Sequence, residues 1–168
     1  MLTRKLTYSL AFALFVVSVS YADEPISAKF YKLDFVVKEM DGTKTLNSRG
    51  YSTVTKEQVG RACSIRTGSK VPYSPSPTSL QFYDLGVNID CLDVKEVGGE
   101  LSLSISADVI SIPSDTPPNT PPLTRHNSWN ATVLVPLAKP TLVFSSDDLT
   151  TKRVMQLQLT ATPVGAGK

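Results

Sequence analysis

Leu101-Ser102-Leu103-Ser104-Ile105-Ser106-Ala107-Asp108-Val109 alternates without a break between apolar and small polar residues. Side chains two apart in an extended chain lie on one face, so this segment sets an apolar face against a Ser/Asp face. The pattern predicts a half-buried antiparallel strand. Just upstream, Val87, Ile89 and Cys91 alternate with Asn88, Asp90 and Leu92, and Gly98-Gly99 lies between the two runs. Two alternating runs joined by a glycine pair predict a hairpin of residues 87–97 with residues 101–112.

The same period of two extends outward in both directions. Tyr31, Leu33, Phe35 and Val37 alternate with Lys32, Asp34, Val36 and Lys38, and Asp41-Gly42 follows as a hairpin turn. A second strand is expected over residues 45–55, weakened by Gly50. Residues 56–60 read as a turn or a single helical turn. Cys63 to Thr67 reads as a short strand, with Gly68-Ser69 as a turn before Val71. Beyond the hairpin, Trp129, Ala131, Val133 and Val135 alternate with polar neighbours. Thr141 to Phe144 reads as a short strand, and Met155, Leu157, Leu159 and Ala161 share one face of another. Pro113 to Pro122 holds five prolines in ten residues, which excludes a helix or a central strand and predicts a stiff exposed loop; Pro72 to Pro77 is read as a second such loop. No segment after residue 22 carries a 3.6-residue apolar stripe. The expected class is all-β: an antiparallel curved sheet or sandwich of about seven to nine strands.

The N-terminus has a different grammar. Arg4 and Lys5 precede the apolar run Leu10 to Val17, and Ser20 and Ala22 stand at the −3 and −1 positions of a cleavage before Asp23. This is the pattern of a secretory signal peptide over residues 1–22, too short for a comfortable transmembrane helix of about 20 residues. The expected organisation is signal peptide 1–22, linker 23–27, one β domain 28–164 and a disordered tail 165–168, with the chain loosening from Val164 onward. Of 168 residues, 17 are Lys or Arg and 15 Asp or Glu; loss of Arg4 and Lys5 leaves 15 against 15. A neutral mature chain argues against binding nucleic acid by bulk charge.

Export places the chain in an oxidising compartment, where Cys63 and Cys91, the only two cysteines, are expected to form a disulfide; the alternative is two buried free thiols. Other chemistry is sparse. His126 is the single histidine, and it stands in a polar stretch without a nucleophile motif, so a surface role is expected rather than a catalytic triad. One His and two Cys fall short of a structural zinc site, so no metal or cofactor is expected. Asp147-Asp148 reads as a turn or a local cap rather than an acid/base pair. Gly68-Ser69-Lys70 lacks the upstream glycine and following helix of a phosphate loop. Tyr73, Phe82 and Tyr83 flank a proline-rich stretch and form a candidate binding face, the alternative being core at a strand entrance.

Three stretches carry a family resemblance: Ile65-Arg66-Thr67-Gly68-Ser69-Lys70-Val71-Pro72-Tyr73; Phe82-Tyr83-Asp84-Leu85-Gly86-Val87-Asn88-Ile89-Asp90, continuing through Gly98-Gly99 into Leu101-Ser102-Leu103-Ser104-Ile105; and Pro122 to Val133, with Arg125 followed by Trp129 and Thr132. In this order they resemble the core β-domain of bacterial secretins, the outer-membrane rings of type II and type III secretion and of type IV pili. Lys139 to Phe144 stands where that family carries a Gly-Gly-Leu-like strand.

The resemblance implies an exported, non-enzymatic β-domain in the periplasm or at the outer membrane of a Gram-negative bacterium. It would act through protein–protein contact, by strand addition at a sheet edge, as an accessory to a secretion or pilus system. Tyr73, Phe82, Tyr83, Arg125 and Trp129 are the candidate interaction residues. Homo-oligomerisation and membrane contact are left open by this reading. The competing reading is a freestanding periplasmic ligand-binding sandwich that grips its ligand with the proline-rich loops and Tyr73, Phe82 and Tyr83.

Overall fold

The computed structural model describes residues 28–76, 78–112, 124–149 and 151–165. The signal peptide with its cleavage site, the linker, the Pro113–Pro122 loop and the last three residues of the expected tail lie outside them. Among the described residues the chain forms eight strands and no helix: β1 (Phe30–Asp41), β2 (Lys44–Lys56), β3 (Gln58–Ser76), β4 (Ser79–Val97), β5 (Glu100–Ser111), β6 (Arg125–Pro136), β7 (Thr141–Asp147) and β8 (Arg153–Val164). They make two four-stranded antiparallel sheets, in the orders β2-β1-β8-β7 and β3-β4-β5-β6. The sheets face each other without closing into a barrel.

The alternation read from the sequence is the core itself. Leu101, Leu103, Ile105, Ala107 and Val109 of β5 point inward with Val87, Ile89 and Cys91 of β4. Tyr31, Leu33, Phe35 and Val37 of β1 meet them from the other sheet, together with Leu157, Leu159 and Ala161 of β8. The polar partners of these strands line the two outer faces, where Ser104 and Thr132 exchange a hydroxyl hydrogen bond of 2.8 Å. The β4–β5 hairpin turns through Gly98 and Gly99, both at positive φ, which a residue bearing a Cβ resists.

The structure corrects the sequence reading in four places. There is no turn at Gly68-Ser69: β3 runs unbroken through both residues, because Gly68 lies directly opposite Gly86 and the backbones close on each other. Pro72 and Ser74 belong to that strand rather than to a proline loop; β3 is the outermost strand of its sheet, where a residue without an N–H is tolerated. Residues 56–60 hold only a bend at Glu57 before β3 begins. Val164 is not part of a loose tail, since β8 extends to it and pairs it with Phe30.

One feature of β4 was not legible in advance. A register shift between Leu92 and Lys95 places Asp93 at φ 53° and exchanges the faces, so that Val94 enters the core where simple alternation would have pointed it outward. The Asp93 carboxylate secures the irregularity by accepting the Gly60 N–H at 2.7 Å.

Candidate interaction surface

β3 and β4 are each 19 residues long, far longer than β5, and only part of their length is roofed. β5 pairs with β4 from Gly86 to Val97 and no further. Residues 69–76 and 79–85 therefore pair only with each other, as a two-stranded ribbon that leaves the sheet at the Gly68–Gly86 pair. An added Cβ at Gly86 would stand 2.1 Å from the Thr67 carbonyl oxygen, and one at Gly68 2.4 Å from that of Leu85. Only two glycines allow the strands to approach this closely where the ribbon departs.

The ribbon carries apolar side chains on both faces. Val71 lies opposite Tyr83 and Tyr73 opposite Gln81, with the Tyr73 and Tyr83 rings 6.2 Å apart and tilted by 58°. On the other face Phe82 and Leu80 are more than half exposed, at 56% and 59%. Nearer the sheet, Lys70 and Asp84 pair at 3.2 Å in full view of solvent, so their charge contributes little to stability. Both long edges of the ribbon present backbone groups with no strand beside them among the described residues. A two-stranded ribbon is marginal in water on its own, and unpaired edges are templates for another chain.

Arg125 and Trp129 lie elsewhere and face inward. The Arg125 guanidinium contacts Asp148 Oδ2 at 2.9 Å and Glu39 Oε1 at 3.5 Å, and Arg153 reaches the same Glu39 oxygen at 3.1 Å. These half-buried charges tie β6 to β1, β8 and the end of β7. Trp129 stacks on Phe144 with ring centroids 4.1 Å apart and 4° between planes, closing the core between β6 and β7. Of the five candidate residues, three gather on the ribbon and two join the sheets.

The cysteines sit directly opposite each other on β3 and β4, with sulfurs 2.07 Å apart and Cα atoms 4.8 Å apart, as the expected disulfide. The bridge fastens the edge strand to the sheet on the core side of the glycine pair. Beside it, Arg66 donates to Asp90 Oδ2 at 2.6 Å, and this bond holds the Asp90 carboxyl below its ordinary range. A second tie between sheets runs from Tyr31, whose hydroxyl donates to Glu96 Oε2 at 2.5 Å, with Lys29 on the same oxygen at 3.0 Å. The Tyr31 bond, then Lys29, lowers the Glu96 pKa, while burial and then the Glu96 bond raise that of Tyr31.

His126 is exposed and lies 3.2 Å from Asp108. Asp148 accepts the Thr151 N–H at 2.8 Å, the local cap expected there. No group of three or more His, Cys, Asp or Glu residues among those described is arranged to hold a metal ion.

The sequence matches no family model and no curated protein. The fold does match solved structures. The secretin InvG of the Salmonella SPI-1 type III secretion injectisome superposes with a TM-score of 0.55 at 9% identity, over 85% of this chain and 67% of that one. InvG in an atomic model with the basal-body proteins PrgH and PrgK gives 0.55 at 9%, over 85% and 47%. The InvG secretin-domain β-barrel gives 0.54 at 10%, over 85% and 65%. The chain thus spans between about half and two thirds of the secretin chains it resembles. The fold is that of a secretin-like β-domain, two antiparallel sheets that do not close into a barrel among the described residues.

Proposed function

We propose that this protein is an exported, non-enzymatic secretin-like β-domain of the bacterial envelope that works by protein–protein contact along the β3–β4 ribbon, as an accessory to a secretion or pilus system. The observation that carries the reading is the ribbon itself: two edges unpaired among the described residues, apolar on both faces, on a fold shared with secretins. Backbone pairing along an edge supplies affinity, and side chains on alternate faces supply specificity. A second copy is the favoured occupant, because β4 residues 79–85 of one ribbon and β3 residues 69–76 of the next are edges of matching length with no strand beside them among the described residues. The secretins it resembles are themselves parts of multi-protein secretion structures, which is consistent with a protein partner.

The test is in-cell photo-crosslinking in a Gram-negative host carrying two differently tagged copies, with the reactive group at Phe82 or, as a control, at Val36 on the outer face of β1. Adducts joining the two tags from position 82 and not from 36, in the envelope fraction, support the reading. Cytosolic protein, or equal yields from both positions, overturns it. The competing ligand-grip reading is not favoured, since Tyr73, Phe82 and Tyr83 line neither of the two cavities found beside the ribbon.

A further inference from the structure

Where the ribbon leaves the sandwich, the core stops short. At the level of Val87 and Val109 the inward positions are still apolar, but one step outward the short side chains of Asn47, Ser69 and Ser111 stand opposite Glu39, Leu85 and Arg125, and the layer is incompletely filled. A cavity of about 490 Å³ remains between the sheets, within the range of roughly 300–1,000 Å³ typical of small-molecule sites. Its inner end is apolar, formed by Val37, Val87, Val109 and Met155. Sheets stack about 10 Å apart, so a slot left by missing side chains is a single layer thick.

The mouth is charged. Glu39 and Arg125 belong to the ion-pair group described above, in which Arg125 and Arg153 serve Glu39 and Asp148. Arg49, opposite Val37 on β2, also lines the mouth, and no ion pair within 4.0 Å is made by it among the described residues. Among the residues that line the cavity the charged ones are Arg49, Arg125 and Glu39, two guanidinium groups and one carboxylate, a surplus of one positive charge at the opening of an apolar slot. A guanidinium fork matches the geometry of a carboxylate or sulfate.

We infer that this cavity binds a single-chain anionic amphiphile, with its alkyl tail against Val87, Val109 and Met155 and its head group on Arg49. The site shares no residue with the ribbon's aromatic cluster and stands whether or not the chain serves secretion. Because the slot is bounded by Gly68 and Gly86, an occupant would also touch the point from which the ribbon departs.

Isothermal titration of the purified protein with decanoate, decanol and decyltrimethylammonium tests it. Decanoate binds saturably at one site, at least tenfold more tightly than decanol, and the cation does not bind. Arg49→Gln lowers decanoate affinity about tenfold and leaves decanol unchanged; Ser111→Trp fills the slot and abolishes both. Should Ser111→Trp fail to fold, Ser69→Leu gives the same expectation with less added volume. Absence of saturable decanoate binding, equal affinity for all three probes, or indifference to Arg49→Gln overturns the proposal.

Discussion

Two halves of one hairpin behave as different materials. From Val87 to Val94, β4 is flanked by β3 and β5, crossed by a disulfide to β3, and sends Val87, Ile89, Cys91 and Val94 into the common core. From Ser79 to Leu85 the same strand has one neighbour among the described residues, and Leu80 and Phe82 face outward. Both halves are extended and hydrogen-bonded to β3, so strand pairing does not separate them. The difference is coverage: stability comes from apolar area removed from water, and only the half beneath the second sheet removes much. The uncovered half retains surface that a partner can bury.

This comparison can be broken in a graded way. The largest effect is expected in the roofed half. Ile105→Ala, at a fully buried position opposite Cys91, lowers unfolding free energy by about 2–5 kcal/mol in urea titration. Next comes the bridge: Cys63→Ala with Cys91→Ala removes a cross-link between residues 28 apart in sequence, at a cost of about 3–4 kcal/mol on the chain-entropy account. Glycine substitution at the boundary comes third. Gly86→Ala forces β3 and β4 apart at the Thr67 carbonyl and costs about 1–3 kcal/mol, of the order of an overpacked site; amide exchange should accelerate most in residues 69–85.

A smaller effect is expected from acid. Asp90 has its folded pKa held below the ordinary carboxylate value of 3.8, first by the Arg66 hydrogen bond. Its contribution is therefore full above the unfolded value and fades as pH falls through the folded one. Asp90→Asn should flatten the decline in stability below about pH 4, read from melting temperature against pH. The smallest change in stability belongs to Phe82→Ala on the ribbon, within about 0.5 kcal/mol. That substitution should nevertheless weaken copy-to-copy crosslinking markedly when the reactive group is carried instead at Leu80, exposed on the same face. A large loss of stability from it would erase the distinction between the halves.

Much of the fold was legible because a half-buried antiparallel strand writes its burial into the sequence with a period of two. β5 shows this without interruption, and β1, β8 and the inner half of β4 follow it. The turns at Gly42 and at Gly98-Gly99 could be placed for a local reason, since they rest on glycine's access to positive φ. The ribbon was misread as turn and loop because its prolines and glycines carry the local signals of a break. An exposed two-stranded element has no buried face to impose a contrary pattern. The exchange of faces at Asp93 was hidden for a related reason: a bulge is stabilised by its partner strand, here through the Gly60 N–H. Among the candidate residues, Tyr73, Phe82 and Tyr83 could be grouped by nearness along the chain. That Arg125 and Trp129 turn inward depended on Glu39 and Phe144, each distant in sequence.

By itself, then, the sequence determined which residues face the core in most strands, the two glycine turns and the pairing of its only two cysteines. These follow from local sterics and from the partition of side chains between water and apolar contact. Only the tertiary structure decided that β3 passes through Gly68, that half of the β3–β4 hairpin projects beyond its sheet, and that a cavity remains beside it. Those features depend on where neighbouring strands end, and the end of a neighbour is not encoded in the segment it leaves uncovered.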